Sequence, residues 1–244
     1  MSLFKIEITK LKGSLLWIPL ALLPILSIGY GTINYVANKE VLVREWASLW
    51  TQVFLFYGAF FYPFIIGIVT AFIWHNEHKR NGLQLLLTAS YSYKKIIMTK
   101  MLVALSALTV IQIYFISLYF LVGSFMSFEQ NPPFSLCFWM IIITLLSFVQ
   151  VSFQSYLSLK IKNFSIPVLL SLIFGIITYL GCAQNKLVEV QYIFGAANLS
   201  LAMNNQFPDI SLTLLEWMKL IGWAGLLICG FTYLQVRYLE KLTR

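Results

Sequence analysis

Six stretches of this chain stay apolar for about 20 residues or more, the length an α-helix needs to cross the hydrocarbon core of a bilayer. They run from about residue 14 to 36, 49 to 74, 96 to 126, 136 to 159, 164 to 183 and 212 to 236. A transmembrane barrel would show segments of about 10 residues in which apolar and polar side chains alternate. No such alternation runs through these windows. The side-chain balance excludes a water-soluble globule: 59% of the 244 residues are apolar and 11% charged, too few polar groups to cover a globular surface. The expectation is an all-α integral membrane protein with one transmembrane domain over residues 1–244. No cleavable leader is expected, because the first apolar run is too long and lacks a small-residue cleavage site.

Basic residues orient such a bundle, since Lys and Arg in short loops are retained on the cytoplasmic side. With six spans and both termini on one face, that face receives 13 of the 17 Lys and Arg residues, including Lys5, Lys10, Lys12, Lys94, Lys95 and Lys100, and three of the nine acids. The opposite face has Lys39, Arg44, Lys186 and Lys219 against six acids. Both termini are therefore expected in the cytoplasm. The net charge of +8 then reflects topology, and no nucleic-acid partner is expected.

Taken in order, residues 2–12 place Phe4, Ile8, Leu11 and Leu15 at helical spacing, with Glu7 and the lysines mostly on other faces. A short helix in the headgroup layer fits this pattern, either as an anchor for the first span or as an elbow helix. Pro19 and Pro24 predict kinks in the first span. Trp46 and Trp50 lie at the outer edge of the second window, where tryptophans usually form an interfacial belt; contact with a ligand at the outer mouth is the sharper alternative. Gly58 and Gly67 would let a neighbouring helix come close to the second span. The fourth span carries Gln150, Gln154 and several serines, a stripe that should face other helices or a translocation path. Residues 184–211, which include Asn198, suit short helices capping the outer mouth.

The longest basic segment between two spans is the polar island from Trp74 to Lys95. Glu77, His78, Lys79 and Arg80 lead to a break at Gly82. A short surface helix follows, with Leu83, Leu86 and Leu87 along its apolar side and Gln84 among them. His75, Glu77 and His78 lack the H-E-x-x-H spacing and a second ligand cluster, so interfacial histidines are expected and no metal site. The three cysteines have no spacing pattern and read as buried thiols, although a bridge between Cys137 and Cys182 is conceivable.

No phosphate-binding G-x-x-x-x-G-K-[ST] loop, G-x-S-x-G elbow or paired-carboxylate motif occurs. Ionisable residues are nearly absent from the apolar windows, which argues against a proton relay or an ion-coupled transporter. If this protein moves a substrate, the energy is expected from another subunit.

Together, Glu7-Ile8-Thr9-Lys10-Leu11-Lys12, the six-span plan, the segment from Glu77-His78-Lys79 through Leu86-Leu87-Thr88 to Ser92-Tyr93-Lys94-Lys95 and Lys100, and the capping region before the last span resemble a known family. It is the permease subunits of type-2 ABC exporters, and within them the small lantibiotic-immunity permeases. Many members carry Pro where Ala89 stands here. The resemblance covers essentially the whole chain. It implies an N-terminal elbow helix and a coupling helix from Glu77 to Tyr93 that sits in a cleft of a cytoplasmic ATPase. Glu77, His78, Lys79, Arg80 and Gln84 would supply polar contacts and Leu83, Leu86 and Leu87 an apolar anchor. Trp46, Trp50, Gln150, Gln154 and Asn198 are the residues that would meet a substrate or line the outer mouth.

The implied function is that of a non-enzymatic transport subunit in a bacterial plasma membrane, removing a lantibiotic or bacitracin-like peptide. Lipid, polysaccharide or another amphiphile is the alternative cargo, and a membrane sensor or enzyme the alternative class. The implied partners are an ATPase dimer, which would bind the ATP and Mg, a second identical or homologous permease, membrane lipid and an amphipathic peptide. The chain itself would hold no cofactor.

Overall fold

The computed structural model describes residues 3–79, 82–88, 90–184 and 195–243, and among these the regular elements are helices. A short helix α1 (Leu3–Leu11) precedes the first span, α2 (Trp17–Ala37). The second span comprises α3 (Glu45–Phe56), a π-helical turn at Tyr57–Phe61 and α4 (Tyr62–His78). After the six-residue α5 (Gly82–Leu87) comes the third span, α6 (Tyr93–Phe125). The fourth span is α7 (Ser135–Leu146) and α8 (Phe148–Lys160), the fifth α9 (Ser165–Ala183). A shorter helix, α10 (Gly195–Asn205), leads to the sixth span, α11 (Leu214–Leu242). Six of these segments are long and apolar enough to cross a membrane: Trp17–Ala37, Glu45–His78, Tyr93–Phe125, Ser135–Lys160, Ser165–Ala183 and Leu214–Leu242.

The second span is the axis of the bundle. In its most apolar window 72% is buried, against 6% for the last span, which therefore lies at the rim. Helices α2, α6, α8 and α9 pack around it. Pro63 accounts for the irregular turn within it: with no N–H to offer the Ala59 carbonyl, the regular ladder fails, and the chain widens into a π-turn just before.

Hydrocarbon offers little hydrophobic reason for two helices to associate, so they must gain by close packing and hydrogen bonding. Small residues make that approach possible. A Cβ on Gly31 of α2 would overlap the Val53 backbone of α3, where the Ser27 hydroxyl also donates to the Val53 carbonyl at 2.7 Å. On the other side of the axis, a Cβ on Gly67 would stand 2.6 Å from that of Ser171, and one on Gly175 would overlap the Pro63 ring. The Ser171 hydroxyl donates to the Pro63 carbonyl at 2.7 Å, tying α9 to the first turn of α4.

Trp46 and Trp50 form no interfacial belt. Both are buried, with Trp50 stacked on Phe54 at 4.5 Å and donating to the Met203 carbonyl of α10 at 2.9 Å. Trp46 donates to the Gln130 carbonyl, and its ring fills the space above Gly123, where any Cβ would overlap it. Glu45 completes this outer corner by accepting the backbone N–H groups of Glu129 and Gln130 at 3.1 and 2.9 Å. Helical spacing alone could not separate these rings from belt residues, because the partners that cover them come from α6, α10 and the connections that follow them. The cysteines are unpaired, and of the three expected as buried thiols only Cys182 is buried; Cys137 is half-buried and Cys229 is exposed on the rim helix.

Candidate functional site

Four charged side chains converge where α1, the end of α4 and the start of α6 meet, on the face that carries both termini. Lys100 is the eighth residue of α6, inside the apolar part of its span, and is 1% exposed. A cation there needs counter-charges. Two arrive from different elements: Lys100 Nζ donates to Glu7 Oε2 of α1 and to Glu77 Oε1 of α4, each at 2.8 Å. Lys10 closes the set, donating to Glu7 Oε1 at 2.8 Å and to Glu77 Oε1 at 2.6 Å. Two cations and two carboxylates balance. The face of Trp74 lies 5.3 Å from Lys100 Nζ, and its indole N–H donates to Ser155 Oγ at 2.7 Å. The Ser155 hydroxyl in turn donates to Gln235 Oε1 at 2.7 Å, carrying the polar network across α8 to α11.

This arrangement revises the reading of α1. Leu11 is buried and Ile8 packs on the core, but Phe4 is 39% and Leu15 79% exposed, and Glu7 is the residue turned fully inward at 3%. The demand of Lys100 for a carboxylate outweighs the apolar stripe. Neither Glu7, Lys10 nor Lys100 emerged as a site residue from motif and periodicity; the available signal was one lysine standing about one turn inside an apolar window.

Burial by itself would lower the Lys10 pKa. Its hydrogen bonds to Glu7 and Glu77, and the charge of both, outweigh that and hold it above the usual 10.5. A raised lysine pKa contributes stability that is complete below the unfolded value and lost as pH rises through the higher folded one. Amide exchange in α1 is therefore expected to gain no opening attributable to Lys10 between pH 7 and 9.5. A steep rise in that window, abolished by Lys10→Gln, would contradict this.

Helix α5 starts against the end of α4. A Cβ on Gly82 would stand 2.9 Å from the Glu77 carbonyl oxygen, and the Gly82 N–H donates to the Lys79 carbonyl at 3.0 Å. Leu86 is buried, and Leu83 and Leu87 pack on the core, so all three apolar residues read as a docking anchor face the bundle. Glu77 is buried in the ion cluster, and His78 Nε2 lies 3.0 Å from the Ser158 carbonyl of α8. Lys79 and Gln84 are exposed, and so is Leu85 at 70%, a residue the amphipathic reading had passed over. Arg80 and Ala89 lie outside the described residues, as do residues 185–194, which include Lys186 and Glu189, and Arg244.

The outer-mouth residues are dispersed. Trp46, Trp50 and Gln154 are buried, the last donating to the Pro167 carbonyl while its own Oε1 has no partner. Gln150 donates to Ser171 Oγ at 3.3 Å and lines an apolar cavity of about 260 Å³ among α8, α9, α10 and α11, with Phe153, Thr178, Ala197 and Phe231. Asn198 belongs to α10, but its side chain lies outside the described residues. Among the described residues no cluster of three or more His, Cys, Asp or Glu side chains is placed to hold a metal.

A six-span bundle with a short helix lying under its second and third spans, braced by charge pairs to an N-terminal helix, defines a multi-pass membrane transport subunit. Residues 3–178 match the sequence model of the family described as ABC-2 family transporter protein. That is more than two thirds of the chain, and the chain belongs to this family. It is the membrane permease component of an ABC-2 type transporter, a domain that lacks an ATPase site and partners with an ABC ATPase. Neither a curated protein nor a solved structure matches it.

Proposed function

We propose that this permease extracts a membrane-active peptide, of lantibiotic or bacitracin-like type, from a bacterial plasma membrane. In this reading both termini are cytoplasmic and a second six-span permease, identical or homologous, stands beside it. An ATPase dimer that binds ATP and Mg engages α5. The observation that carries the reading is the ion cluster. Through Glu77 the root of α5 is bonded to α6 and α1, so force applied at α5 reaches three elements with little loss in flexible chain. The peptide as cargo is supported by the family resemblance of the inner segment and by short outer connections, 38–44 and 126–134, which leave the intramembrane surface to meet an amphiphile.

In this reading the docking surface is formed by the exposed Lys79, Gln84 and Leu85, with Arg80 beside them in sequence. A Glu77→Lys variant would put a third cation into the cluster and disrupt the fold, so it is a poor probe of docking. Leu85→Asp changes an exposed side chain and is the better one, since an apolar anchor at a desolvated contact is worth about 2 kcal/mol or more. Recovery of the ATPase on purified permease is expected to fall at least about tenfold, with the permease's thermal unfolding unchanged. Undiminished recovery would defeat the assignment of α5 as the ATPase contact. Cells lacking the chain should become sensitive to the peptide; unchanged sensitivity across a panel of lantibiotics, with ATPase binding intact, would redirect the cargo to lipid, polysaccharide or another amphiphile.

A further inference from the structure

A groove of about 450 Å³ runs between α6 and α11 at the rim of the bundle, apart from the ion cluster and from α5. Met98 of α6 and Cys229, Thr232, Tyr233 and Val236 of α11 wall it, and Lys94 stands at the end toward the termini. The two helices touch at its floor, where the Thr232 hydroxyl lies 4.0 Å from Met98 Sδ and the Gln235 amide 3.8 Å from Met101 Sδ. One turn past Tyr233, the Arg237 guanidinium lies 5.9 Å from the centre of the Tyr233 ring, a residue of the groove wall, so a second cation stands next to that wall. Lys94 and Arg237 are both exposed, and among the described residues no carboxylate lines the groove.

Lys94 is the second residue of α6 and Arg237 lies five residues before the end of α11, so both cations stand near helix ends beside a largely apolar slot. Shape and charge together specify the occupant. An acyl chain fits the slot, and only a headgroup with net negative charge gains from two cations held at its mouth. A zwitterionic lipid would bring its own ammonium against them. A second copy of this chain, meeting the groove through the same face, would bring another Lys94 and Arg237 against the first pair. We propose that the α6–α11 groove is a binding site for one anionic phospholipid, with its chain between Met98 and Cys229 and its phosphate at Lys94 and Arg237. The assignment requires that the spans sit in a bilayer; it does not depend on the cargo or on the ATPase contact.

The test uses the full-length chain reconstituted with either phosphatidylglycerol or phosphatidylcholine carrying a photoreactive group in the acyl chain. Phosphatidylglycerol should label the peptides containing Met98 and Cys229 at least about fivefold more strongly than phosphatidylcholine. Lys94→Gln and Arg237→Gln should each lower that labelling about fivefold, leaving the phosphatidylcholine background unchanged. Phosphatidylglycerol should also slow maleimide modification of Cys229 in the unaltered chain, whereas inorganic phosphate should not. Equal labelling by the two lipids, or labelling unaffected in the double variant, would overturn the proposal. So would efficient oxidative cross-linking of two chains through Cys229, which would make the groove an interface between copies.

Discussion

Lys100→Met is expected to destabilise the protein by about 3–5 kcal/mol, the cost of removing one partner from a buried ion pair and leaving the other charge uncompensated. Glu7 and Glu77 are 3% and 5% exposed, and without Lys100 they would face each other with Lys10 as their one cation among the described residues. Thermal unfolding in detergent, with recovery of folded chain, measures the loss. Desolvation is the cause, so a second change that removes the excess negative charge should relieve it. Lys100→Met combined with Glu7→Gln leaves the single Lys10–Glu77 pair and is expected to recover at least half of the lost stability. If Lys100→Met unfolds like the unaltered protein, the cluster is not what holds α1 to the bundle. If the double variant is additive, charge imbalance is not the cause.

Gly31→Val should cost about 2–3 kcal/mol, while Gly29→Ala, two residues away on the same helix, should stay within about 0.5 kcal/mol. The contrast rests on backbone position. A Cβ at Gly31 would overlap the Val53 backbone, which cannot rotate aside, whereas a Cβ at Gly29 meets nothing within 4 Å. Valine at 31 must push α2 away from α3, and that separation would also break the bond from Ser27 to the Val53 carbonyl. Unfolding temperatures of the two variants decide the matter. Equal values would show that the approach of α2 to the central span is not a tight one.

Much of this architecture could be read along the chain. The six apolar windows were legible because each span must, by itself, keep its backbone hydrogen-bonded and its surface apolar in lipid, a requirement that acts locally. The break at Gly82 was legible for a similar reason, since a Leu-rich turn flanked by cations has few places to lie. The serines and glutamines of the fourth span were expected to face other helices, and Ser152, Gln154, Ser155 and Ser158 are buried.

The candidate site was legible only in outline. The segment from Glu77 to Leu87 stood out by composition, but which of its residues would be presented could not be decided from periodicity over six residues. Leu83, Leu86 and Leu87 turn inward because the bundle at the end of α4 offers them a core, and Leu85 is what remains outside. The roles of Glu7 and Lys100 depend on residues 93 positions apart meeting at 2.8 Å.

What the sequence determined by itself was the number of membrane crossings and the excess of cations on one face, because these follow from each segment's own exchange between water and lipid. What only the tertiary structure decided was which charges and rings are shared between elements: Glu7, Lys10, Glu77 and Lys100 in one cluster, Trp46 and Trp50 in the core, and Leu85 at the surface. In a membrane, burial no longer distinguishes an apolar face turned to protein from one turned to lipid, so the pairing of polar groups across helices sets the rotation of each helix, and that pairing exists only once the helices are assembled.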